Sequence, residues 1–173
     1  MTSGIGKASF AAVVDGATRV LILGSLPGEI SLSRAQYYAH PRNQFWPLIG
    51  AVIGHDLAAL PYDARLAALR AAGVGVWDVI RSAHRHGSLD SNIRRIEPNA
   101  LLDVCTRLPA LRAVCFNGKM AAQIGRPQLA ADARVALITL PSSSPAHAIP
   151  FAAKLMAWSQ LGFFLAALPG EDD

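Results

Sequence analysis

The sequence predicts an α/β protein in three layers, with helices on both faces of a central four-stranded parallel sheet. Four short runs rich in Val, Ile and Leu are apolar at successive positions, as strands are when both faces of a parallel sheet are covered. Helical patterns alternate with these runs along the chain, which favours right-handed crossovers between parallel strands. Neither observation depends on any single residue.

The predicted elements follow one another in a regular order. The strands are Val20–Gly24, Val74–Trp77, Ala113–Phe116 and Val135–Leu140. The helices are Phe45–Ile53, Tyr62–Ala72, Pro98–Leu108, Gly118–Ile124 and Pro150–Leu165. Pro98 is expected in a first helical turn, where proline's missing N–H costs nothing.

Length and composition limit the class of protein. The chain has 173 residues, of which 52% are hydrophobic and 16% charged, which predicts one domain over residues 1–173 with a full core. The net charge of +4 permits a nucleic-acid partner without requiring one. Because the first residues lack a signal-peptide pattern, we expect a cytoplasmic protein.

Three features that suggest a membrane or a metal have simpler explanations. The apolar stretch Phe151–Leu168 is near the minimum length of a membrane span, but Lys154 and Gln160 interrupt it, so a buried helix and no membrane partner are expected. Two cysteines are too few for a four-cysteine iron–sulfur cluster. His84 and His86 have no third ligand at a familiar spacing, so no metal is expected.

A glycine loop and an aromatic arm follow the first strand. The glycine loop, Gly24-Ser25-Leu26-Pro27-Gly28, allows close backbone approach to a ligand, but it matches no nucleotide-cofactor fingerprint. The aromatic arm, residues 36–46, combines four aromatic side chains with polar and basic ones, including Arg42 and Asn43. Such an arm suits a pocket that stacks a flat base and holds a phosphate nearby. A core-packing loop with Asn43 as the N-cap of the next helix is an equal alternative.

Polar side chains follow the second and third strands, at the edge where open parallel sheets bind ligands. Asp78 can accept a hydrogen bond from a base N–H, or it can cap a helix. Asn117 is placed at the same edge, and Lys119 is either a phosphate contact or an ordinary surface lysine. The basic stretch 81–95 is expected to be a solvated loop that touches phosphates.

In the loop after the fourth strand, three serines lie between two prolines, and a histidine follows the second proline. Hydroxyl and backbone N–H groups of Ser142, Ser143 and Ser144 are suited to the phosphates of a DNA backbone. His147 is a candidate acid or cation. An acyl hydrolase using one of these serines with His147 is an alternative, but it lacks a G-x-S-x-G motif and an acid–histidine pair in order.

These motifs together resemble the uracil-DNA glycosylase superfamily. The glycine loop is similar to its motif 1, and Leu140–His147 is similar to its motif 2, the loop that pinches DNA. The pattern through Trp46 is most similar to the hypoxanthine-DNA glycosylase branch, also called DNA-deoxyinosine glycosylases. The resemblance covers nearly the whole chain and implies a uracil-DNA glycosylase-like fold.

The resemblance implies a monofunctional glycosylase of base-excision repair. Such an enzyme hydrolyses the N-glycosidic bond of a deaminated base in double-stranded DNA and leaves an abasic site. Leu26 and Leu140 stand where uracil enzymes carry polar catalytic residues, so the resemblance implies that Asn43 takes over and that hypoxanthine is favoured over uracil or xanthine. The same departures keep open a second reading, an inactive DNA- or nucleotide-binding module of this fold.

The implied site has three parts. Asn43 and His147 take part in the chemistry. The flipped base meets Gly24, Ser25, Leu26, Pro27, Gly28, Tyr38, Phe45, Asp78 and Asn117. The DNA backbone meets Arg42, Lys119, Ser142, Ser143 and Ser144. No metal or organic cofactor is implied, and a monomer is expected.

Overall fold

A computed structural model describes residues 6–168. The strands are β1 (Gly6–Ala8), β2 (Val20–Gly24), β3 (Val74–Asp78), β4 (Ile80–His84), β5 (Arg94–Pro98), β6 (Ala113–Asn117) and β7 (Ala136–Leu140). The α-helices are α1 (Glu29–Arg34), α2 (Phe45–Ile53), α3 (Tyr62–Ala71), α4 (Leu101–Cys105), α5 (Lys119–Leu129), α6 (Phe151–Trp158) and α7 (Leu161–Leu165).

The central sheet has four parallel strands in the order β3-β2-β6-β7. Every residue of β2 is buried, since Leu21 and Leu23 face one core and Val20 and Ile22 face the other. The first core is completed by α4 and α5, and the second by α2, α3, α6 and α7. The predicted three-layer α/β fold is therefore confirmed, with all four predicted strands found within two residues of their expected bounds.

Two predicted helices need correction. Pro98 does not start a helix, because it ends β5, and α4 covers only Leu101–Cys105. The C-terminal helix is divided at Ser159 into α6 and α7, although both parts pack on the same core through Trp158 and Leu161. Within residues 6–168, no helix is long and apolar enough to span a bilayer.

A second sheet, which we call the small sheet, was not predicted. Its three antiparallel strands lie in the order β1-β4-β5. It takes up both ends of the stretch 81–95 that was expected to be a solvated loop, while residues 86–92 between β4 and β5 are exposed as expected. Arg85, just after β4, is only 1% exposed. Lys7 of β1 joins the small sheet to Glu29 of α1 through an ion pair and to the carbonyl of Gly87 at 2.8 Å. This ion pair holds the small sheet next to the start of α1, directly after the glycine loop.

Candidate active site

The carboxyl ends of three neighbouring strands bring Asp78, Gly24 and Asn117 together. β2 lies between β3 and β6, and Gly24 is aligned with Asp78 in the register of the sheet. Asp78 and Asn117 are both buried. We call these two residues the strand-end pair, because they place a carboxyl and an amide on either side of Gly24.

Hydrogen bonds fix the orientation of the Asn117 amide. The backbone N–H of Ser143 donates to Asn117 Oδ1 at 2.9 Å. Asn117 Nδ2 donates to Ser143 Oγ at 2.9 Å and to the Tyr38 hydroxyl at 3.2 Å. Because Oδ1 must accept from a backbone N–H, the amide cannot flip without losing that bond. Asn117 therefore presents a hydrogen-bond donor to the space beside Gly24.

Asp78 is the opposite case. It is 3% exposed, and its Oδ2 has no hydrogen-bond partner within the described residues. Burial raises the pKa of Asp78 to about 7, while the nearby Arg85 guanidinium lowers it and the Asp90 carboxylate raises it further. A buried polar atom without a partner costs about 1–3 kcal/mol. A ligand that donates to this carboxyl removes that cost.

Gly24 provides the space that the strand-end pair needs. A side-chain carbon on Gly24 would stand 2.9 Å from Asp78 Oδ1 and 2.9 Å from the Tyr38 hydroxyl. Even weak C–H···O hydrogen bonds keep carbon and oxygen about 3.3–3.6 Å apart, so such a carbon would force these groups to move. Only glycine fits at this position while the polar groups keep their places.

The two aromatic side chains expected to stack on a base are instead stacked on each other. The rings of Tyr38 and Phe45 have centroids 3.9 Å apart and planes inclined by 12°. Phe45 is fully buried, with Trp158 packed against it edge-on. This corrects the expectation that both rings are available to a base, because Tyr38 covers the face that Phe45 would offer.

Asn43 makes a side-chain hydrogen bond at the start of α2, here called its cap, although the N-cap residue of that helix is Gln44 and not Asn43 as the alternative to catalysis had it. Its Oδ1 accepts a hydrogen bond of 3.0 Å from the backbone N–H of Phe45, at the start of α2. Asn43 is half-buried, and the preceding residue of the aromatic arm, Arg42, is exposed. Capping by one lone pair of Oδ1 leaves the second lone pair and the NH₂ group for other partners. Both readings of Asn43 therefore remain compatible.

The loop from Pro141 to Ala148, here called the serine loop, is held by hydrogen bonds within the loop and by bonds from other elements, among them that of Trp158 Nε1 to the Pro141 carbonyl. Ser143 is 1% exposed, so the expectation that its hydroxyl reaches a phosphate is replaced by its bond with Asn117. Ser142 and Ser144 are half-buried, and their hydroxyls accept from backbone N–H groups two residues further on. His147 lies on the exposed part of the loop.

Two buried cations that sequence reasoning missed hold the loops in place. Arg85 donates to the carbonyls of Leu26, at 3.3 Å, and Pro27, and it also bonds Gly87. Lys154 of α6 is 1% exposed and donates to the carbonyl of Ser144 at 3.2 Å. The sequence offered no signal for either role, because each residue reads as one more surface cation.

The glycine loop is also bound, through side-chain hydrogen bonds, to the connection between β4 and β5. Ser25 Oγ donates to Asp90 at 2.7 Å, and the Glu29 N–H next to Gly28 donates to Ser88 Oγ at 2.9 Å. Leu26 is 6% exposed and packs in the core, so its side chain does not face a ligand as expected. In residues 6–168, no three His, Cys, Asp or Glu side chains are grouped closely enough to hold a metal ion.

Residues 11–162 match the family described as the Uracil DNA glycosylase superfamily. The chain belongs to this superfamily. It is 39% identical over 154 residues to a Methanosarcina barkeri protein named hypoxanthine DNA glycosylase, across 89% of this chain and 96% of the relative. A Methanosarcina acetivorans protein of the same name is 42% identical over 117 residues, across 68% of this chain and 74% of the relative.

A solved structure shows the same fold. The solution NMR structure of a Methanosarcina acetivorans protein, described as a proposed uracil DNA glycosylase, matches with a TM-score of 0.84 and 37% identity. The match covers 93% of this chain and 99% of that one. The superfamily and the class of enzyme predicted from the sequence, a DNA glycosylase, are confirmed.

Proposed function

We propose that this DNA glycosylase releases hypoxanthine from deoxyinosine in double-stranded DNA and leaves an abasic site. The observation that carries the proposal is the strand-end pair, which sets a fixed donor on Asn117 beside an unpartnered acceptor on Asp78. The name hypoxanthine DNA glycosylase, given to two relatives, supports the same substrate.

The donor and acceptor of the strand-end pair are complementary to the edge of a deaminated base. Hypoxanthine carries a carbonyl oxygen at C6 beside an N–H at N1, so the first accepts from Asn117 and the second donates to Asp78. Adenine, from which hypoxanthine arises, has an amino group at C6 and a bare N1, so both contacts are reversed. A site built for one polarity rejects the other strongly, because its buried polar groups are left unpaired. Uracil and xanthine share the N–H beside a carbonyl and are the next candidates.

The reaction begins with a nucleotide flipped out of the duplex, at a cost of a few kcal/mol that is least for a mispaired base. Stretching the glycosidic bond produces an oxocarbenium-like sugar and moves negative charge onto the leaving base. The Asn117 donor meets that charge at the base oxygen, and one such donor contributes about 100- to 1,000-fold in rate.

Asn43 positions the attacking water. The carboxamide is not a useful base, so the water attacks a cation that is already largely formed and loses its proton to solvent. The cap that Asn43 provides to α2 holds the amide still while it does so. His147, from the exposed loop, is proposed to add a positive charge near the departing base, and Arg42, Lys119, Ser142 and Ser144 to contact the DNA backbone.

The proposal includes a monomer with one domain over residues 1–173, acting in the cytoplasm without a metal or an organic cofactor. A monomer is proposed because the active cleft has to fit around a DNA duplex, which one chain can do alone.

Release of hypoxanthine, uracil and xanthine from defined duplexes tests the function. We expect hypoxanthine to be released fastest by the native protein. Asn43→Ala removes both the acceptor for the Phe45 N–H and the water contact, whereas Asn43→Ser keeps a side-chain acceptor for that N–H and loses the reach to the water. We expect both variants to lose excision by about 100-fold or more, on the scale of one lost polar contact to the transition state.

The two Asn43 variants separate capping from chemistry. If Asn43→Ser is fully active and only Asn43→Ala is impaired, Asn43 acts as a cap and its catalytic role is wrong. If the native protein releases none of the three bases, the substrate proposal itself is wrong.

A further inference from the structure

Backbone hydrogen bonds join the first half of the glycine loop to the chain that follows β3. The Gly24 carbonyl accepts a hydrogen bond of 2.8 Å from the Val79 N–H, and the Ser25 carbonyl accepts one of 3.1 Å from the Ile80 N–H. Both carbonyls are thereby directed at the segment that leads into β4. The end of this segment has to hold the rest of the loop by other means, because its backbone bonds to the loop stop at Ser25.

The side chain of Arg85 takes over at this point. Its guanidinium donates to the Leu26 carbonyl at 3.3 Å and to the Pro27 carbonyl, while Nε donates to the Gly87 carbonyl at 2.8 Å. A planar guanidinium has donors in the fixed arrangement that neighbouring acceptors require, which an ammonium group lacks. A loop carbonyl that turned toward a bound base would repel the negative charge that the base gains as it leaves. Arg85 therefore fixes the part of the loop that the backbone does not.

Arg85 is also a buried charge without a direct ionic partner. It is 1% exposed, and within residues 6–168 its hydrogen bonds go only to neutral carbonyls. Burial lowers its pKa and three carboxylates raise it, those of Asp90, Glu29 and Asp78. Because arginine keeps its proton in proteins, the charge is permanent, and burial strengthens its action on nearby groups.

We propose that Arg85 is a positioning residue for excision, which fixes the shape of the glycine loop and provides the Asp78 carboxylate with its countercharge. The inference rests on the proposed function, in which an ionised Asp78 accepts a hydrogen bond from the base. Arg85 itself does not touch the base or the DNA. Its effect on the reaction passes through the loop and through Asp78.

Few titratable groups act on Asp78. They are Arg85 and Asp90 beside the small sheet and the hydroxyls of Tyr37 and Tyr38 in the aromatic arm. Burial raises the pKa of both tyrosines, so they stay neutral at physiological pH. Among the described residues that act on Asp78, Arg85 alone carries a positive charge. Removal of that charge therefore leaves the effects of burial and of Asp90 unopposed.

Two variants separate the charge of Arg85 from its geometry. Arg85→Lys keeps the charge and loses the planar arrangement of donors, whereas Arg85→Gln keeps amide donors and loses the charge. Carbon-13 NMR titration of the Asp78 carboxyl in the DNA-free protein, assigned with Asp78→Asn, measures the charge effect. We expect the midpoint to rise by about one pH unit in Arg85→Gln and to stay at the native value in Arg85→Lys.

Lys154 offers a matched control. It is the other buried cation, but it holds the serine loop through Ser144 and is not among the charges that act on Asp78. Lys154→Gln should therefore leave the Asp78 midpoint at the native value. A rise equal to that in Arg85→Gln would mean that the loss of any buried cation moves the midpoint, which would overturn the inference.

Single-turnover excision of hypoxanthine measures the effect on the reaction. The pH at which the rate is half-maximal should rise in Arg85→Gln and not in Arg85→Lys. The maximal rate should fall about tenfold in both variants, because neither reproduces the bonds to Leu26 and Pro27. The Kd for DNA should stay unchanged, since a side chain that is 1% exposed does not reach a phosphate.

The outcomes separate this inference from the proposed function. A native Asp78 midpoint in Arg85→Gln, or a native maximal rate in Arg85→Lys, would overturn the inference alone. So would weaker DNA binding by both variants with a native rate in the saturated complex. If the native protein does not cut deoxyinosine DNA while the carbon-13 midpoints follow the expectation, the proposed function fails and the countercharge on Asp78 stands.

The native protein provides a measurement that needs no variant to fold. Raising the salt concentration from about 0.05 M to about 0.5 M screens exposed charges and affects buried ones much less. The Asp78 midpoint in the native protein should therefore stay in place. A midpoint that rises with salt would assign the countercharge to exposed cations and overturn the inference.

Discussion

Asp78 and Asn117 occupy equivalent places on either side of Gly24, yet their surroundings differ in one respect. Every polar atom of the Asn117 amide is engaged by Ser143 or Tyr38. Asp78 is equally buried, but Oδ2 has no partner within the described residues, and burial raises its pKa to about 7. Asn117 has protein partners for all of its polar atoms, so a base oxygen has to share or replace the Tyr38 hydroxyl as an acceptor, whereas Asp78 Oδ2 is left without a partner among the described residues.

The difference shows how the fold separates stability from recognition. Asn117 joins the end of β6 to the serine loop, so it stabilises the protein and sets a donor in place at the same time. Asp78 is a cost that the remaining core has to offset. Two substitutions, one in each member of the strand-end pair, give three predictions.

Asn117→Asp should have the largest effect. The carboxylate keeps an acceptor for the Ser143 N–H but removes the Nδ2 donor, and it sets a second carboxyl across Gly24 from Asp78. We expect excision of hypoxanthine to fall by about 100- to 1,000-fold in single-turnover kinetics. Thermal unfolding serves as the control, and activity near the native level would show that the Asn117 donor does not act on the base.

Asp78→Asn should have a smaller effect on rate and a clear effect on pH dependence. An amide still offers an acceptor oxygen, but a hydrogen bond to a charged group is stronger by about 1.4 kcal/mol, so excision at pH 8 should fall about tenfold. In the native protein the acceptor is the ionised carboxyl, so excision should decrease as pH falls below about 7. The Asn variant should lack this decrease. A native profile in the variant would assign the titration to another group.

The same substitution should raise the free energy of unfolding at pH 8. This is the smallest of the three expected effects. The pKa in the folded protein, about 7, is above the ordinary value of 3.8, so the folded state binds the proton more tightly. Native stability should therefore fall as pH rises from about 4 to about 7, by at most about 4 kcal/mol. Urea unfolding at pH 5 and pH 8 should show this loss in the native protein and not in Asp78→Asn. Parallel losses in both proteins would assign the pH dependence of stability to a group other than Asp78.

The central sheet was predictable because its strands are buried on both faces. Val20–Gly24 carries five buried residues in succession, a pattern that a surface strand or loop does not show. The small sheet was not predictable for the opposite reason. All five residues of Arg94–Pro98 are exposed, so no alternation of apolar and polar side chains marks it as a strand. Pro98, at the end of this strand, was therefore misinterpreted as the first residue of a helix.

The position of the candidate site in the fold was predictable, but the hydrogen-bond partners of its residues were not. The rule that ligands bind at the carboxyl ends of parallel strands singled out Asp78 and Asn117, and the structure has them as the last residues of β3 and β6. Which of them lacks a partner depends on contacts with Ser143 and Tyr38, residues far away in the sequence. The burial of Arg85 depends likewise on the small sheet, and the left-handed backbone of Tyr38 has no signal in its residue type.

One comparison tests most directly whether the strand-end pair recognises a deaminated base. Two duplexes carry deoxyinosine or deoxyadenosine at the same position, opposite a tetrahydrofuran abasic-site analogue, so that neither base has to break a pair before it flips. Because the two bases present opposite polarity to Asp78 and Asn117, we expect single-turnover release of hypoxanthine to exceed release of adenine by about 10,000-fold or more. Comparable release of the two bases would contradict the role assigned to Asp78 and Asn117.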